Sequence, residues 1–286
     1  MRFSFPGWAA KEPMSNLRTV RKSDFLRSLA AAIAISLSGF ALTARSAIFS
    51  YAPPPLIGAQ VTYPSVSESS VTNSNPLYGA PTVSGNNLIF SNLNFAAVST
   101  DGTPALDFVD GQINFTLQSD PGTFLQTLDL TEFGDYNVSA TPANPAAVNF
   151  AEAYENAVQI TVLAIDGVPL GTPEINNTSD VMMISPDGGD YETGVTPSTG
   201  SFNGAADANL AALFGSDEIT EIAISFDNQL AAESETGGIA DIAKKGFDIT
   251  PGVTTGPAVP EPSGASLVLV AIGMGLKRRR NRIAAR

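Results

Sequence analysis

The stretch QINFTLQ at residues 112–118 alternates polar and apolar residues without a break. Successive side chains of a β-strand point to opposite faces, so this stretch predicts a strand with one buried and one solvated face. The same alternation recurs at residues 127–130, 158–163 and 222–227. Turn dipeptides such as Asp101-Gly102 lie between the alternating stretches, at intervals typical of an all-β domain. We predict a single antiparallel, jelly-roll-like β-sandwich over residues 59–250.

Two strand pairings are predicted within this domain. Asp166-Gly167 lies between two apolar runs and predicts a short hairpin. Farther along, a long strand over 218–233, a turn at 236–238 and a returning strand over 239–250 predict a second hairpin. Lys244-Lys245 interrupts the alternation of the returning strand, which predicts a bulge or a sheet edge.

One segment has helical rather than strand periodicity. Between Asp207 and Phe214, apolar residues at 210, 213 and 214 lie at helical spacing, and Gly215 follows. This pattern predicts one short helix over an end of the sandwich, with Asp207 at its cap or in its first turn.

The N-terminal residues 1–46 have the three parts of a secretory signal peptide. A basic region precedes an apolar run at 29–42, and Ala44-Arg45-Ser46 supplies small residues at the positions that precede a cleavage site. The basic residues are Arg18, Arg21, Lys22 and Arg27. We therefore predict a signal helix that is removed before Ala47, with a start at Met1 or Met14; the alternative is an anchor helix that is retained.

The C-terminal residues 259–286 are built from three successive parts. A motif, an uncharged stretch at 263–276 that we predict to be an anchor helix, and a basic tail at 277–286 follow one another. The motif is Val259, Pro260, Glu261 and Pro262, and the basic cap is Lys277, Arg278, Arg279, Arg280 and Arg282. Because basic residues resist crossing a membrane, this order predicts a segment that stalls there with its tail on the cytoplasmic side.

This C-terminal segment resembles the PEP-CTERM sorting signal of exported bacterial proteins, on the Pro260-Glu261-Pro262 motif and the two parts that follow it. The resemblance implies recognition by an exosortase, an integral-membrane cysteine transpeptidase. It also implies cleavage near the motif and delivery from the inner membrane to the cell surface or beyond. The alternative for the same residues is a frayed basic tail on a cytosolic protein.

Two Pro-containing segments flank the predicted domain. Residues 47–58 include the run YAPPP at 51–55, which predicts a stiff extended segment. Residues 251–258 combine Pro, Gly and Thr and predict an unstructured linker between the domain and the sorting signal.

Acidic and basic residues are unevenly distributed along the chain. Residues 47–258 hold 25 Asp and Glu against two Lys, a net charge of −23, whereas the whole chain has −13. Such a body would repel nucleic-acid phosphates, so we expect no nucleic-acid partner. An acidic body between two basic ends is typical of a soluble extracellular protein.

Histidine and cysteine are both absent. Disulfides, Ser-His-Asp and Cys-His mechanisms and thiolate or imidazole metal sites are therefore excluded. Catalysis would fall to carboxylates, as in glycosidases. Among these, Glu132 is either an acid in a cleft or, as we favour, a solvated turn carboxylate.

Asp187, Asp190 and Glu192 form the densest acidic turn of the chain, DGGDYE at 187–192. Carboxylate oxygens are the ligands that calcium prefers, so these residues are the candidate calcium site. The alternative is a plain solvated loop, and we expect no other cofactor.

Three hypotheses for function follow. The first is a non-catalytic surface or matrix protein, sorted by an exosortase and associated with exopolysaccharide in a biofilm. The second is a lectin-like carbohydrate-binding module, for which the six tyrosines would be stacking platforms, although most aromatics on alternating strands belong to the core. The third is a carboxylate-only glycoside hydrolase.

Overall fold

The computed structural model describes residues 47–155, 158–177 and 183–256. The predicted signal peptide over 1–46 and the sorting motif, anchor helix and basic cap over 259–286 lie outside the described residues. Within the described ranges, no helix is both long enough and apolar enough to cross a membrane.

Two antiparallel sheets face each other, so the predicted all-β sandwich is confirmed. The described strands are β1 (Ala47–Ser50), β2 (Leu56–Ile57), β3 (Val61–Ser70), β4 (Thr82–Ser84), β5 (Asn87–Phe90), β6 (Ala96–Thr100), β7 (Leu106–Ser119), β8 (Thr123–Ala140), β9 (Phe150–Glu155), β10 (Gln159–Ile165), β11 (Val168–Asn177), β12 (Met183–Ser185), β13 (Asp190–Glu192), β14 (Thr199–Asn209), β15 (Ile219–Glu233) and β16 (Gly238–Thr255).

The strand order separates the chain into a nine-stranded and a seven-stranded sheet. The nine-stranded sheet runs β1-β3-β7-β15-β10-β11, with β9 also on β15, β13 on β9 and β2 on β3. The seven-stranded sheet runs β12-β14-β8-β16-β5-β4, with β6 also on β16. The longest strands, β7 with β15 and β8 with β16, therefore form the centres of the two sheets.

The stretch at 112–118 forms the middle of β7, as its alternation predicts. Ile113, Phe115 and Leu117 are buried, whereas Asn114 and the polar residues in phase with it point away from the core. Each fully buried side chain of this kind contributes about 1.5–3 kcal/mol, so the alternation also supplies the energy that holds the two sheets together.

Aromatic rings fill the centre of the sandwich. Tyr78 makes edge-to-face contacts with Phe95, Phe90 and Phe247 at ring-centroid distances of 5.4, 5.7 and 5.8 Å. Its hydroxyl accepts a hydrogen bond of 2.6 Å from the amide of buried Asn228. Buried tyrosines normally find such a partner, and this one links the loop before β4 to the nine-stranded sheet.

The predicted hairpin at Asp166-Gly167 is confirmed. β10 and β11 pair antiparallel, with Ile165 opposite Val168. Both turn residues have positive φ, 48° at Asp166 and 71° at Gly167. Two-residue hairpins favour this conformation, and Asp-Gly is one of the pairs that adopt it most readily.

The second predicted hairpin is wrong. β15 belongs to the nine-stranded sheet and β16 to the seven-stranded sheet, so the turn between them carries the chain from one sheet to the other. Buried Ser234 fixes this crossing, because its backbone N–H and its hydroxyl both bind the hydroxyl of Ser99 in β6, at 3.0 and 2.7 Å. A short turn between two alternating strands favours a hairpin but does not by itself establish that the two strands pair.

The predicted helix is present but shorter. Helix α1 spans Leu210–Phe214 and ends at Gly215. Its cap is Asn209, whose side chain accepts a hydrogen bond of 2.9 Å from the N–H of Ala212. Asp207, predicted at the cap or in the first turn, instead lies in β14 opposite Asp129.

The segments that flank the domain also contain strand residues. Ala47–Ser50 pairs with β3. β16 continues through Thr255, with Pro251 buried and opposite Leu128. Residues 251–255 are therefore part of the sheet rather than of the unstructured linker that their Pro and Gly content predicts.

Candidate functional site

A shallow trough with a volume of about 270 Å³ lies on the outer face of the nine-stranded sheet. Strands β3, β7, β15 and β10 form its floor. Its lining residues are Ser65, Ser67, Asn114, Phe115, Thr116, Gln159, Thr161, Ala223, Ile224 and Ser225. None of these residues is charged, in a body with 25 acidic residues.

The register of the sheet assembles the polar side chains of the trough into rows. Ser67 lies opposite Asn114, Asn114 opposite Ser225, and Ser225 opposite Gln159. These four residues come from four strands that are far apart in the chain. Because directly opposed side chains on one face are about 5 Å apart, they form one continuous polar row.

Hydrogen bonds between neighbouring side chains order the trough. The hydroxyls of Ser65 and Thr116 lie 2.8 Å apart. The amide of Gln112 donates to the hydroxyl of Ser225 at 3.0 Å and its oxygen accepts from Asn114 at 3.5 Å. Hydroxyl and amide groups both donate and accept hydrogen bonds. This surface can therefore bind the hydroxyl groups of a ligand, whether they act as donors or as acceptors.

A pair of carboxyl groups lies beside the trough. Asp110 and Asp227 sit on adjacent strands and share a hydrogen bond. Burial, followed by the charge of Asp227 and the shared hydrogen bond, raises the pKa of Asp110 to about 7. Glycosidase carboxyl pairs are about 5 Å or more apart so that a sugar or a water fits between them, whereas these two bind each other.

The tyrosines divide between core and surface. Tyr63, Tyr78, Tyr136 and Tyr191 are buried in the core, which confirms that most aromatics on these strands are core residues. Tyr154, in contrast, is 45% exposed and lies on β9 opposite Gln229. It is therefore the tyrosine best placed to contact a ligand on the outer face.

A larger cavity of about 570 Å³ lies at one end of the sandwich, between the β7–β8 turn and the β10–β11 hairpin. Asp120, Asp166 and Glu221 contribute carboxylates to its wall. A ligand there would face three negative charges, in contrast to the uncharged trough. The geometry therefore favours the trough for a ligand without positive charge.

The prediction that Glu132 is a solvated turn carboxylate is wrong. It lies in the middle of β8, is 2% exposed, and forms an ion pair with Lys244 of β16, which is 1% exposed. The ammonium group of Lys244 also lies 5.5 Å from the centre of the Phe95 ring. The predicted bulge is confirmed, since the register with β8 shifts between Lys244 and Gly246.

The phase of the alternation could have located this pair. Glu132 is in phase with buried Leu128 and Leu130, and Lys244 is in phase with buried Ala240 and Ile242. Two opposite charges on the buried faces of two strands therefore indicate a buried ion pair, provided that the strands are neighbours.

The acidic turn predicted as a calcium site forms a short 3-10 helix at Asp187–Gly189 followed by β13, which contains Asp190 and Glu192. Among the residues that the structure describes, no group of three or more acidic side chains lies close enough to hold a metal ion. The three carboxylates are thus near in sequence without forming such a group.

Comparisons with known proteins do not place the chain in a family. No family model matches it, and no curated protein matches it. Among solved structures, TmCBM61 in complex with beta-1,4-galactotriose is 9% identical in sequence. The match covers 58% of this chain and 88% of the TmCBM61 chain, with a TM-score of 0.17. The enzymatically active domain of bacteriophage CBA120 tailspike protein 4 is 14% identical in sequence. That match covers 54% of this chain and 20% of the tailspike chain, with a TM-score of 0.14. Likenesses this weak carry no argument about function.

Proposed function

We propose that this chain is an exported, non-catalytic protein whose body binds a neutral polysaccharide in the exopolysaccharide or biofilm around a bacterial cell. The proposal joins the matrix hypothesis to the carbohydrate-binding hypothesis. Its export part rests on the sequence of the two ends, and its binding part rests on the uncharged trough of the nine-stranded sheet.

The export part follows from the order of the terminal segments. The leader over 1–46 takes the chain across the inner membrane, and the segment over 263–276 with its basic cap stalls there. Pro260-Glu261-Pro262 then lies just outside, where an exosortase-type transpeptidase cuts and passes the body to the cell surface.

Replacement of the motif residues 260–262 by alanine tests this route. We expect uncut precursor to accumulate in the inner membrane, since the two prolines hold the motif extended for recognition and Glu261 supplies its charge. Processing of the variant at the normal rate would show that the motif is not the signal.

The observation that carries the binding part is the absence of charge from the lining of the trough. A sheet face of hydroxyl and amide groups offers a neutral ligand many hydrogen bonds without requiring it to neutralise a charge. An anionic polymer would be repelled by the acidic body around the trough. A neutral glycan, which presents many hydroxyls and no charge, meets both conditions.

The binding experiment is a glycan array probed with the processed protein and with Asn114→Asp. This substitution barely changes the size of the side chain but places a negative charge in the middle of the trough. We expect neutral glycans to be bound by the natural protein and bound at least tenfold more weakly by the variant, about 1.4 kcal/mol.

The matched control is Asn75→Asp, which adds the same charge at an exposed loop position outside the trough. The control should bind like the natural protein. Equal binding by all three proteins would remove the trough from the account, and a preference for acidic glycans would contradict a neutral ligand.

A further inference from the structure

An exposed aromatic ring lies in the middle of the opposite, seven-stranded sheet. Phe133 of β8 points outward and is 51% exposed. It lies opposite Asn203 of β14 on one side and Gly246 of β16 on the other. The ring therefore lies outside the core between the two sheets, on a solvated sheet face.

The ring lies directly on the backbone of Gly246. A Cβ atom built at this glycine would overlap the ring atoms of Phe133, so any other residue there would push the ring away. The bulge in β16 falls at the same place, between Lys244 and Gly246. Bulges commonly re-aim side chains beside functional sites, and in this one the exposed residue Lys245 directly precedes Gly246 in the chain.

The surroundings of the ring are polar. Asn203 and Thr131 are exposed beside it, and two residues along β8 the exposed carboxylate of Asp135 accepts a hydrogen bond of 3.1 Å from Ser201. A stable protein–protein interface would bury about 800 Å² on each partner around an apolar centre. A lone ring beside polar side chains of its own strand and of β14 is too small and too polar a patch for such a partner.

This arrangement fits the amphipathic surface of a pyranose. A sugar ring has an apolar face of C–H groups, which can lie on an aromatic ring, and an edge of hydroxyls, which Asn203, Lys245 and Asp135 can bind. Hydrogen bonds to the two charged groups are stronger than those between neutral groups. Because one neighbour is cationic and the other anionic, a neutral sugar is accommodated best.

We infer that Phe133, with Asn203, Lys245 and Asp135, forms a second glycan-binding site, on the face of the sandwich opposite the trough. One consequence of this inference rests on the proposed function. If the trough also binds glycan, each sheet has a site, and one molecule holds two polysaccharide chains and cross-links them. Two linked sites also raise the avidity for a polymer without new contacts.

The test uses the full chain and five variants in affinity electrophoresis through gels that contain a soluble neutral polysaccharide, with dextran, galactan and xylan as separate probes. Light scattering of mixed protein and polysaccharide reports cross-linking. Phe133→Ala removes the ring, and Val98→Ala is the matched control, an exposed apolar residue of the same sheet away from Phe133. Asn114→Asp disables the trough, and the fourth variant combines Phe133→Ala with Asn114→Asp.

Loss of the ring should weaken retardation about five- to tenfold and abolish light scattering, whereas Val98→Ala should match the natural protein. Phe133→Trp, which enlarges the platform, should strengthen retardation. Binding and scattering by Phe133→Ala equal to those of the natural protein would overturn the second site, as would absence of retardation by all three polysaccharides.

The double variant separates this inference from the proposed function. If Asn114→Asp binds normally and only Phe133→Ala loses retardation, the ring binds glycan and the trough does not. If Asn114→Asp alone abolishes binding, the trough binds and the second site is refuted. Residual binding in each single variant, lost in the double variant, is the result expected when both sites exist.

Discussion

Removal of one partner of the Glu132–Lys244 ion pair should destabilise the body strongly. Both side chains are fully shielded from solvent, so Glu132→Leu leaves a buried ammonium and Lys244→Met leaves a buried carboxylate without its counter-ion. Breaking such a pair costs about 3–5 kcal/mol. Since domains of this kind have about 5–15 kcal/mol of total stability, each single variant should lose a large fraction of it.

The double variant Glu132→Leu, Lys244→Met should behave differently. One carboxylate oxygen of Glu132, Oε1, has no hydrogen-bond partner among the described residues, so the pair is incompletely satisfied. Replacement of both charges by apolar groups is then expected to be neutral or stabilising by about 1–4 kcal/mol. The pair would thus cost more to break than it contributes when intact.

Urea denaturation of the natural protein, the two single variants and the double variant measures these terms. The single variants should also melt lower, by roughly 2–4 °C for each kcal/mol lost. Single variants within 1 kcal/mol of the natural protein, or a double variant as unstable as the singles, would refute the expectation that loss of this ion pair dominates the stability of the single variants.

Two further predictions concern the sheets. The pKa of Asp110, raised to about 7 beside Asp227, means that its contribution to stability is complete below the ordinary pKa of about 4 and is lost as pH rises through 7. Between pH 5 and pH 8 the free energy of unfolding of the natural protein should therefore fall by about 1–2 kcal/mol more than that of Asp110→Asn, a value reduced because Asp110 is partly exposed. Urea midpoints that fall equally in the two proteins would contradict this. Gly134→Ala should cost about 1–3 kcal/mol because the new Cβ would overlap the Phe202 ring and the carbonyl oxygen of Ala243. Gly171→Ala, where a Cβ meets nothing within 4 Å, is the control, and similar melting temperatures for the two variants would show that the sheet yields at Gly134.

The strands could be predicted from the sequence because burial of one face imposes a period of two on every strand. QINFTLQ at 112–118 and the turn at Asp166-Gly167 carry that information locally. Strand partners are not local. β15 and β16 have the alternation and the short turn of a hairpin, yet each pairs within its own sheet, because the register with β7 and with β8 extends over more residues than a mutual hairpin offers.

The trough could not be predicted for the same reason. Ser67, Asn114, Ser225 and Gln159 are unremarkable polar residues in their own strands, and only the register across four strands joins them. The aromatic platform at Phe133 likewise depends on Gly246, more than 100 positions later in the chain. Glu132 was in principle predictable, since its phase with Leu128 and Leu130 places it on the buried face.

Amide NMR of the isotopically labelled body, titrated with a neutral oligosaccharide selected on the glycan array, shows directly whether the trough binds a sugar. Binding in the trough should give chemical-shift changes that cluster at Asn114, Ser225 and their neighbours on the outer face of the nine-stranded sheet. Changes confined to the end cavity around Asp166 and Glu221, or no changes at saturating sugar, would contradict it.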